Sequence, residues 1–180
     1  YVVRDPRNVI TSIKNHYQLD DEKAIQWIGN KENYIYDVQN FEESGYGDFQ
    51  YISSWSLNYK SWKVQKKIPI KFIKYEDLLD KTYVVFLEII EFINKITNNS
   101  KKIDKVKLKN VLRTTSFEAL KKNEIDKGFS EAITYRENKN KKIPFFHLGP
   151  KNDWKTILNK DLKIKLEKLF EKELKELSYI

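Results

Sequence analysis

The pattern of hydrophobic and polar positions opens with a short apolar run and continues at helical spacing. Tyr1-Val2-Val3 is typical of a strand that is covered on both faces. Pro6 suits the first turn of a helix, because its φ is already helical and its missing N–H is not needed there. We therefore predict a strand that ends near Val3. A helix should follow from about Arg7 to Leu19, with its covered side formed by Val9, Ile13, His16 and Tyr17.

Most of the chain that follows also has helical spacing. Asp20 or Asp21 should cap a second short helix that ends at Gly29-Asn30. Residues 31–48 break the pattern and mix scattered aromatic residues with polar ones. Further helices are predicted over Phe49–Gln65, Val84–Ile96, Ile103 to about Leu112, Thr115–Lys122 and Leu158–Leu177, and one further strand over Ile70–Tyr75.

Four segments carry more specific expectations. The helix over Val84–Ile96 is apolar nearly all round, so we expect it to be buried on most sides. Thr115 and Glu118 have the spacing of a capping box at a helix start. Residues 123–142 lack periodicity and are predicted to form a mobile loop. The last helix should bury one face, formed by Leu162, Leu166, Leu169, Phe170 and Leu177.

The alternation of strands with helices, and the scarcity of hairpin signals, favour an α/β fold with a parallel sheet. No linker divides the chain, so we expect residues 1–180 to form a single domain. Two strands do not make a parallel sheet of normal size. We therefore expect the first strands of the sheet to lie upstream, which makes this domain N-terminally truncated.

Composition narrows the chemistry. The net charge is +8, from 34 Lys+Arg against 26 Asp+Glu, which favours an anionic partner such as a nucleotide or an acidic polymer. The lysines are scattered in pairs, so nucleic acid is not predicted as a partner. The chain has no cysteine and two histidines, which excludes disulfides, cysteine zinc sites and a histidine-rich metal site. No apolar run is long enough to span a membrane.

The first strand end is a candidate anion site. Arg4 and Arg7 flank the point where the strand stops and the first helix begins. A helix N-terminus presents free N–H groups and a positive dipole end, and two arginines add permanent charge. The sequence therefore predicts a phosphate site here. A generic strand–turn–helix with solvated arginines is the alternative.

Four segments together resemble the sulfotransferase family that uses 3′-phosphoadenosine 5′-phosphosulfate. Each is weak alone, but their shared order along the chain is specific. The segments are Tyr1–Val9 with Ser12, then Ile73–Leu78, then Thr115–Asn123, and finally Gly149–Lys155 with the helix that follows it.

The resemblance implies a nucleotide site with one set of residues on the phosphate and another near the base. Without it, Tyr75 and Phe117 would be interpreted as a strand-end residue and a core residue. The implied contacts are Arg4 and Ser12 on the 3′-phosphate, Tyr75 in the nucleotide crevice, Thr115 and Phe117 on the adenine, and His147 and Gly149 at the phosphate, where the glycine lets the backbone approach closely.

The sequence departs from the family in two places. His147 and Leu148 stand where the family usually carries an Arg-Lys pair. Either a protonated His147 binds the phosphate, or a lysine such as Lys151 does so instead. The family's phosphosulfate loop and its histidine base have no counterpart in these residues, so no catalytic residue is assigned. His16 is interpreted as a packed helix histidine.

The resemblance implies a parallel sheet of the P-loop nucleotide-binding type with flanking helices. It also implies sulfuryl transfer from 3′-phosphoadenosine 5′-phosphosulfate to the hydroxyl or amine of a small-molecule or glycan acceptor, in the cytoplasm and without a metal. We expect the 180-residue chain alone to be inactive. One alternative is a non-catalytic module that binds adenosine bisphosphate or a polyanion. Another is a P-loop kinase, although its glycine-rich lysine loop and magnesium carboxylates are not visible.

Overall fold

Helices make up most of the fold, which a computed structural model describes for residues 1–36, 38–138 and 140–180. The strands are β1 (Val2–Val3), β2 (Tyr34–Ile35), β3 (Gln50–Tyr51) and β4 (Ile73–Lys74). The α-helices are α1 (Pro6–Tyr17), α2 (Asp21–Gly29), α3 (Val38–Ser44), α4 (Trp55–Val64), α5 (Tyr75–Asp80), α6 (Thr82–Ile96), α7 (Lys105–Thr114), α8 (Phe117–Lys127), α9 (Trp154–Ile157), α10 (Lys160–Leu169) and α11 (Glu171–Glu176). A 3-10 turn covers Gly149–Lys151.

The strands β1 and β4 form a parallel pair, with Val2 opposite Ile73 and Val3 opposite Lys74. The predicted parallel pairing is therefore confirmed, although β4 is shorter than Ile70–Tyr75 because Tyr75 already belongs to α5. Parallel strands end at the same edge of a sheet. The residues that follow β1 and β4 are consequently neighbours in space.

The helices α1 and α2 begin and end close to the predicted residues. The Asp5 carboxylate caps α1 by accepting a hydrogen bond from the Arg7 N–H, and Asp20 caps α2 in the same way at Lys23. Residue Gln18 ends α1 in the left-handed conformation, with φ of 51°. Local capping signals therefore fix this part of the fold.

The main apolar core lies between α1 and α2 on one side and α10 and α11 on the other. The face predicted for the last helix is only partly correct, because the helix is interrupted at Phe170, where φ is −119°. After the break, Leu174 enters the core, whereas Leu169 is 45% exposed. The buried cluster consists of Ile10, Ile13, Ala24, Ile28, Leu162, Leu166, Phe170 and Leu174.

The helix predicted over Phe49–Gln65 begins six residues later, at Trp55. The Ser54 hydroxyl caps it by accepting from the Leu57 N–H, which fixes the first turn. The residues before it form β3, which pairs antiparallel with β2. Aromatic residues at helical spacing had extended the predicted helix into this hairpin.

The expectation that the apolar helix over Val84–Ile96 is buried on most sides is wrong. In α6 only Val85 is buried, and Val84 and Ile93 are about half exposed. Its main neighbours are α5 and α7, and they leave much of its apolar surface exposed. Apolar composition predicted the helix correctly but not the number of elements that cover it.

The capping box predicted at Thr115 is displaced by one residue. Ser116 is the N-cap of α8, and its hydroxyl accepts from the Ala119 N–H. The Thr115 hydroxyl instead donates to Val111 in the last turn of α7. The predicted loop over 123–142 is also shorter, because α8 continues to Lys127, and an isolated bridge joins Thr134 to Lys142.

Among the described residues, no helix combines the length and the apolar character that crossing a membrane requires.

Candidate functional site

One cavity of about 1070 Å³ gathers all seven residues that sequence analysis assigned to a nucleotide site. They come from the end of β1, the second turn of α1, the start of α5, the α7–α8 junction, and the 3-10 turn with the residues just before it. The seven residues are Arg4, Ser12, Tyr75, Thr115, Phe117, His147 and Gly149. Four segments that are distant in the sequence therefore meet at one place, and their contact with a nucleotide stays a prediction.

Arg4 is the charged centre of this cavity. Its guanidinium carbon lies 4.2 Å from the centroid of the Tyr75 ring, so the two side chains stack. The Nε atom is buried and has no hydrogen-bond partner. Of the ion pairs formed by the described residues, none includes Arg4. The backbone of Arg4 is held in place, because the Trp55 indole N–H donates to the Arg4 carbonyl at 3.1 Å.

Arg7 does not belong to this site, and its expected role in phosphate binding is wrong. The residue is 1% exposed, and its side chain forms ion pairs with Asp5 and Glu167, both at 2.7 Å. Its guanidinium carbon also lies 3.8 Å from the Trp154 ring centroid. All three guanidinium nitrogens of Arg7 donate to protein, because Nη2 also contacts the Tyr179 carbonyl at 3.1 Å. Arg7 therefore joins β1 and α1 to the C-terminal helices.

The α1 N-terminus is likewise already capped. Asp5 places a carboxylate at the helix start, so the dipole end that sequence analysis offered to a phosphate is partly satisfied. Asp5 is also linked to α5, since its N–H lies 3.4 Å from a Glu76 carboxylate oxygen. The second Glu76 oxygen accepts from the Tyr179 hydroxyl at 2.9 Å. Burial, together with the nearby Glu76 charge, raises the pKa of Tyr179, so this phenol remains a donor.

A buried polar network holds the fourth segment against α1. The Asn8 side chain accepts from the Trp154 N–H at 2.9 Å, and the Asn152 side chain donates to the Asn8 carbonyl at 2.9 Å. Asn152 also accepts from the Thr11 hydroxyl at 2.8 Å. These contacts hold the segment that contains the 3-10 turn against α1, the helix that also carries Ser12.

Gly149 is required at its position for two reasons that the structure makes plain. Its φ is +53°, in the left-handed region that glycine adopts without steric cost. A Cβ there would lie 2.4 to 2.5 Å from three atoms of the Phe117 ring. The residue was expected to let the backbone approach a phosphate, whereas in the protein it first makes room for Phe117.

Phe117 and Thr115 form one wall of the cavity. The Phe117 ring is half-buried and meets Phe146 edge-on, with ring centroids 6.1 Å apart. The Thr115 hydroxyl uses its hydrogen on the Val111 carbonyl at 2.8 Å. A hydroxyl has one hydrogen and two lone pairs, so Thr115 can still accept a hydrogen bond from a ligand.

His147 is exposed at the cavity edge, and its backbone anchors the loop. Its carbonyl accepts from the Lys121 ammonium at 3.2 Å, which ties α8 to the fourth segment. The Glu124 carboxylate accepts from the N–H groups of Phe145 and Phe146 at 2.6 and 2.9 Å. Lys151, the alternative phosphate ligand, is exposed and does not line the cavity. Of these two residues, His147 lines the cavity, and its contact with a phosphate stays a prediction.

His16 also lines the cavity, although sequence analysis interpreted it as a packed helix histidine. It is half-buried, and its ring meets the Tyr17 ring edge-on with centroids 4.7 Å apart. Both descriptions therefore apply to it. Within the described ranges, no three His, Asp or Glu side chains gather into a group that could hold a metal.

Sequence analysis missed two charged residues of the cavity, Arg113 and Glu118. Arg113 lies in the last turn of α7, two residues before Thr115, and has no ion pair among the described residues. Of the 34 Lys+Arg, only Arg4 and Arg113 line this cavity in the described part of the chain. Arg113 could have been predicted from the sequence because it lies close to Thr115, a predicted site residue.

The family model described as "Sulfotransferase domain" matches residues 1–178. A curated protein from Flaveria bidentis, named "Flavonol sulfotransferase-like", is 25% identical over 180 residues, covering 97% of this chain and 53% of that protein. The chain therefore spans about half the length of this curated relative. Together with the parallel β1–β4 pair, the family match confirms the predicted α/β class.

Proposed function

This chain belongs to the sulfotransferase domain family, and we propose that its cavity binds the adenosine 3′,5′-bisphosphate part of 3′-phosphoadenosine 5′-phosphosulfate. The observation that carries the proposal is Arg4, a half-buried cation with an orphaned Nε in the cavity. A buried donor without a partner is costly, and a phosphate oxygen would supply that partner. No carboxylate competes for Arg4 among the ion pairs of the described residues.

The phosphate end of the nucleotide lies at Arg4 and Ser12 in this proposal. Ser12 is exposed in the second turn of α1 and lines the cavity with Arg4. Its hydroxyl can donate to a phosphate oxygen, and Arg4 adds permanent charge. His147 and Gly149 close this end of the site in the same proposal.

The adenine lies against Phe117 and Thr115, with Tyr75 along the crevice. The aromatic ring offers an apolar face for the base. Because the Thr115 hydroxyl already donates to Val111, it can only accept, which fits the exocyclic amine of adenine. Tyr75 follows directly after β4, so its ring is fixed at the strand edge under Arg4.

The reaction proposed for the whole protein is sulfuryl transfer to the hydroxyl or amine of a small-molecule or glycan acceptor. The acceptor oxygen or nitrogen forms a bond to sulfur, while the bond between sulfur and the 5′-phosphate oxygen breaks. A base takes the acceptor proton, and cationic groups stabilise the charge that builds on the leaving phosphate. A metal is not part of the proposal, and a cytoplasmic location stays a prediction.

We assign no general base and no phosphosulfate loop within residues 1–180. Because the curated relative is about twice as long, we propose that these parts, and the other strands of a P-loop type sheet, come from elsewhere in the whole protein. The proposed domain is therefore incomplete in this chain. The 180 residues alone should bind the nucleotide without transferring sulfate.

Calorimetric titration with four ligands tests the proposal. Adenosine 3′,5′-bisphosphate should bind at least about tenfold more tightly than adenosine 5′-phosphate, since one charge-assisted contact contributes about 1.5–3 kcal/mol. Tighter binding of magnesium ATP would favour a kinase instead. Salt-dependent binding of heparin without nucleotide binding would favour a polyanion module. Either of the last two results contradicts the proposed function.

A further inference from the structure

The antiparallel strands β2 and β3 expose a face of aromatic rings. Tyr34 lies opposite Tyr51 and Ile35 opposite Gln50, and Tyr36 stacks on Phe49 just beyond these two pairs. Side chains alternate between the two faces of a strand. Tyr34, Tyr36, Phe49 and Tyr51 therefore share one face, whereas Ile35 points to the other.

The rings of this face form two groups of contacts. The Tyr34 and Tyr51 centroids are 5.1 Å apart, and Tyr36 stacks on Phe49 at 4.6 Å with an angle of 18°. Phe41, from α3, meets Phe49 edge-on at 5.4 Å and extends the surface. The five rings are between 41% and 59% exposed. We call these five residues the aromatic face.

The backbone around the aromatic face is fixed by hydrogen bonds. The Tyr51 hydroxyl donates to the Lys31 carbonyl at 2.6 Å, and the Ser53 hydroxyl donates to the same oxygen at 2.8 Å. The Asn33 side chain is also bonded to the Trp27 carbonyl at the end of α2. The rings are therefore presented on an ordered hairpin. None of the five lines the cavity that contains Arg4.

The charge of this segment is opposite to that of the chain. Residues 32–51 contain five carboxylates and no lysine or arginine, in a protein with 34 Lys+Arg and a net charge of +8. The carboxylates are Glu32, Asp37, Glu42, Glu43 and Asp48. Aromatic rings attract cations through their faces, and carboxylates attract them directly. An anionic polymer would be repelled here.

We propose that the aromatic face docks a lysine- or arginine-rich polypeptide segment. The cationic side chains lie over the rings, and neighbouring carboxylates such as Glu42 and Asp48 bind the remaining charge. Aromatic residues are enriched in protein interfaces because a ring buries a large area at a small entropic cost. The surface is separate from the proposed nucleotide site, so nucleotide binding can fail without affecting it.

Fluorescence anisotropy of labelled octalysine, added to the full chain, tests the proposal. A protein of net charge +8 should repel a polycation, so measurable binding indicates a local acidic surface. Glu42→Gln with Asp48→Asn should weaken binding at least about fivefold. The matched control, Glu91→Gln with Asp126→Asn, changes the net charge equally at exposed positions elsewhere and should leave binding unchanged.

A second pair of variants tests the rings. Tyr36→Leu removes a stacked ring but keeps an apolar side chain, and should weaken octalysine binding about two- to fivefold. Tyr46→Leu removes a ring that is 68% exposed in the same segment and lies outside the aromatic face, so it should have no effect. Absent octalysine binding, or equal effects of the paired variants, overturns the proposal. The proposal is also overturned if the aromatic face binds maltohexaose, or a second copy of the chain, and does not bind octalysine.

Discussion

Gly149→Ala changes a position where backbone and side-chain constraints coincide. The residue has φ of +53°, and a Cβ would lie 2.4 Å from Cε2 of Phe117. Its carbonyl accepts from the Asn152 N–H at 3.1 Å, so the 3-10 turn resists a change of backbone conformation. The methyl group of alanine therefore has to displace the Phe117 ring, the turn, or both.

Two costs can be separated in this substitution. A left-handed conformation costs an L-residue other than glycine about 1–2 kcal/mol. Displacing a packed ring to admit one methyl group costs about 1–3 kcal/mol. The free energy of unfolding should therefore fall by about 2–5 kcal/mol. Nucleotide binding should weaken as well, because the displaced ring is the proposed adenine surface.

A double-mutant cycle with Phe117→Ala measures the ring contribution by urea unfolding. When the ring is absent, Gly149→Ala should cost only the backbone term of about 1–2 kcal/mol. The coupling between the two positions should therefore be about 1–3 kcal/mol. Additive effects of the two substitutions on the free energy of unfolding would refute the steric explanation. A loss below about 0.5 kcal/mol for Gly149→Ala alone would refute both the backbone cost and the steric cost.

Three further variants test separate parts of the structure. Arg7→Ala should lower the free energy of unfolding by about 3–5 kcal/mol, because it leaves the buried Asp5 carboxylate without its charged partner. Lys163→Ala, at an exposed pair with Glu167, should cost less than about 0.5 kcal/mol, and similar losses for both would contradict the burial of Arg7. Burial alone would raise the pKa of Glu173, but hydrogen bonds from Lys60 and Ser56 outweigh it and hold the pKa below its usual value. The ionised Glu173 therefore stabilises the protein above the unfolded-state pKa, and this stabilisation is lost as pH falls through the folded-state pKa. The difference in free energy of unfolding between the unchanged chain and Glu173→Gln should disappear below about pH 4. A difference that does not change with pH would contradict the pairing. Arg113→Gln should weaken the binding of adenosine 3′,5′-bisphosphate about two- to tenfold by calorimetry, whereas Lys107→Gln on the same helix should not. Equal losses of affinity would mean that Arg113 acts only through the net charge of the protein.

The sequence predicts well where a local signal decides the structure. Pro6 starts α1, Asp20 caps α2, and Gly29 ends it, because each of these residues acts on its own turn. The wrong start predicted for α4 is also explained by a local capping residue. A serine cap at Ser54 decides the helix start more strongly than aromatic spacing does.

The sequence fails where a partner from a distant segment decides the role of a residue. Arg7 has the composition of a phosphate ligand, but its partner Glu167 lies 160 residues away and removes it from the site. The requirement for glycine at position 149 likewise depends on the Phe117 ring, which comes from a distant segment. The seven site residues proposed from the sequence do line one cavity, because the order of four short segments is visible without knowledge of their packing.

Arg4→Ala tests the central claim most directly, when its affinities for adenosine 3′,5′-bisphosphate and adenosine 5′-phosphate are compared with those of the unchanged chain by calorimetry. We predict a loss of about ten- to hundredfold for the bisphosphate, since one charge-assisted hydrogen bond disappears. The 5′-phosphate should lose far less. Equal losses for the two ligands would contradict the claim that Arg4 binds the 3′-phosphate.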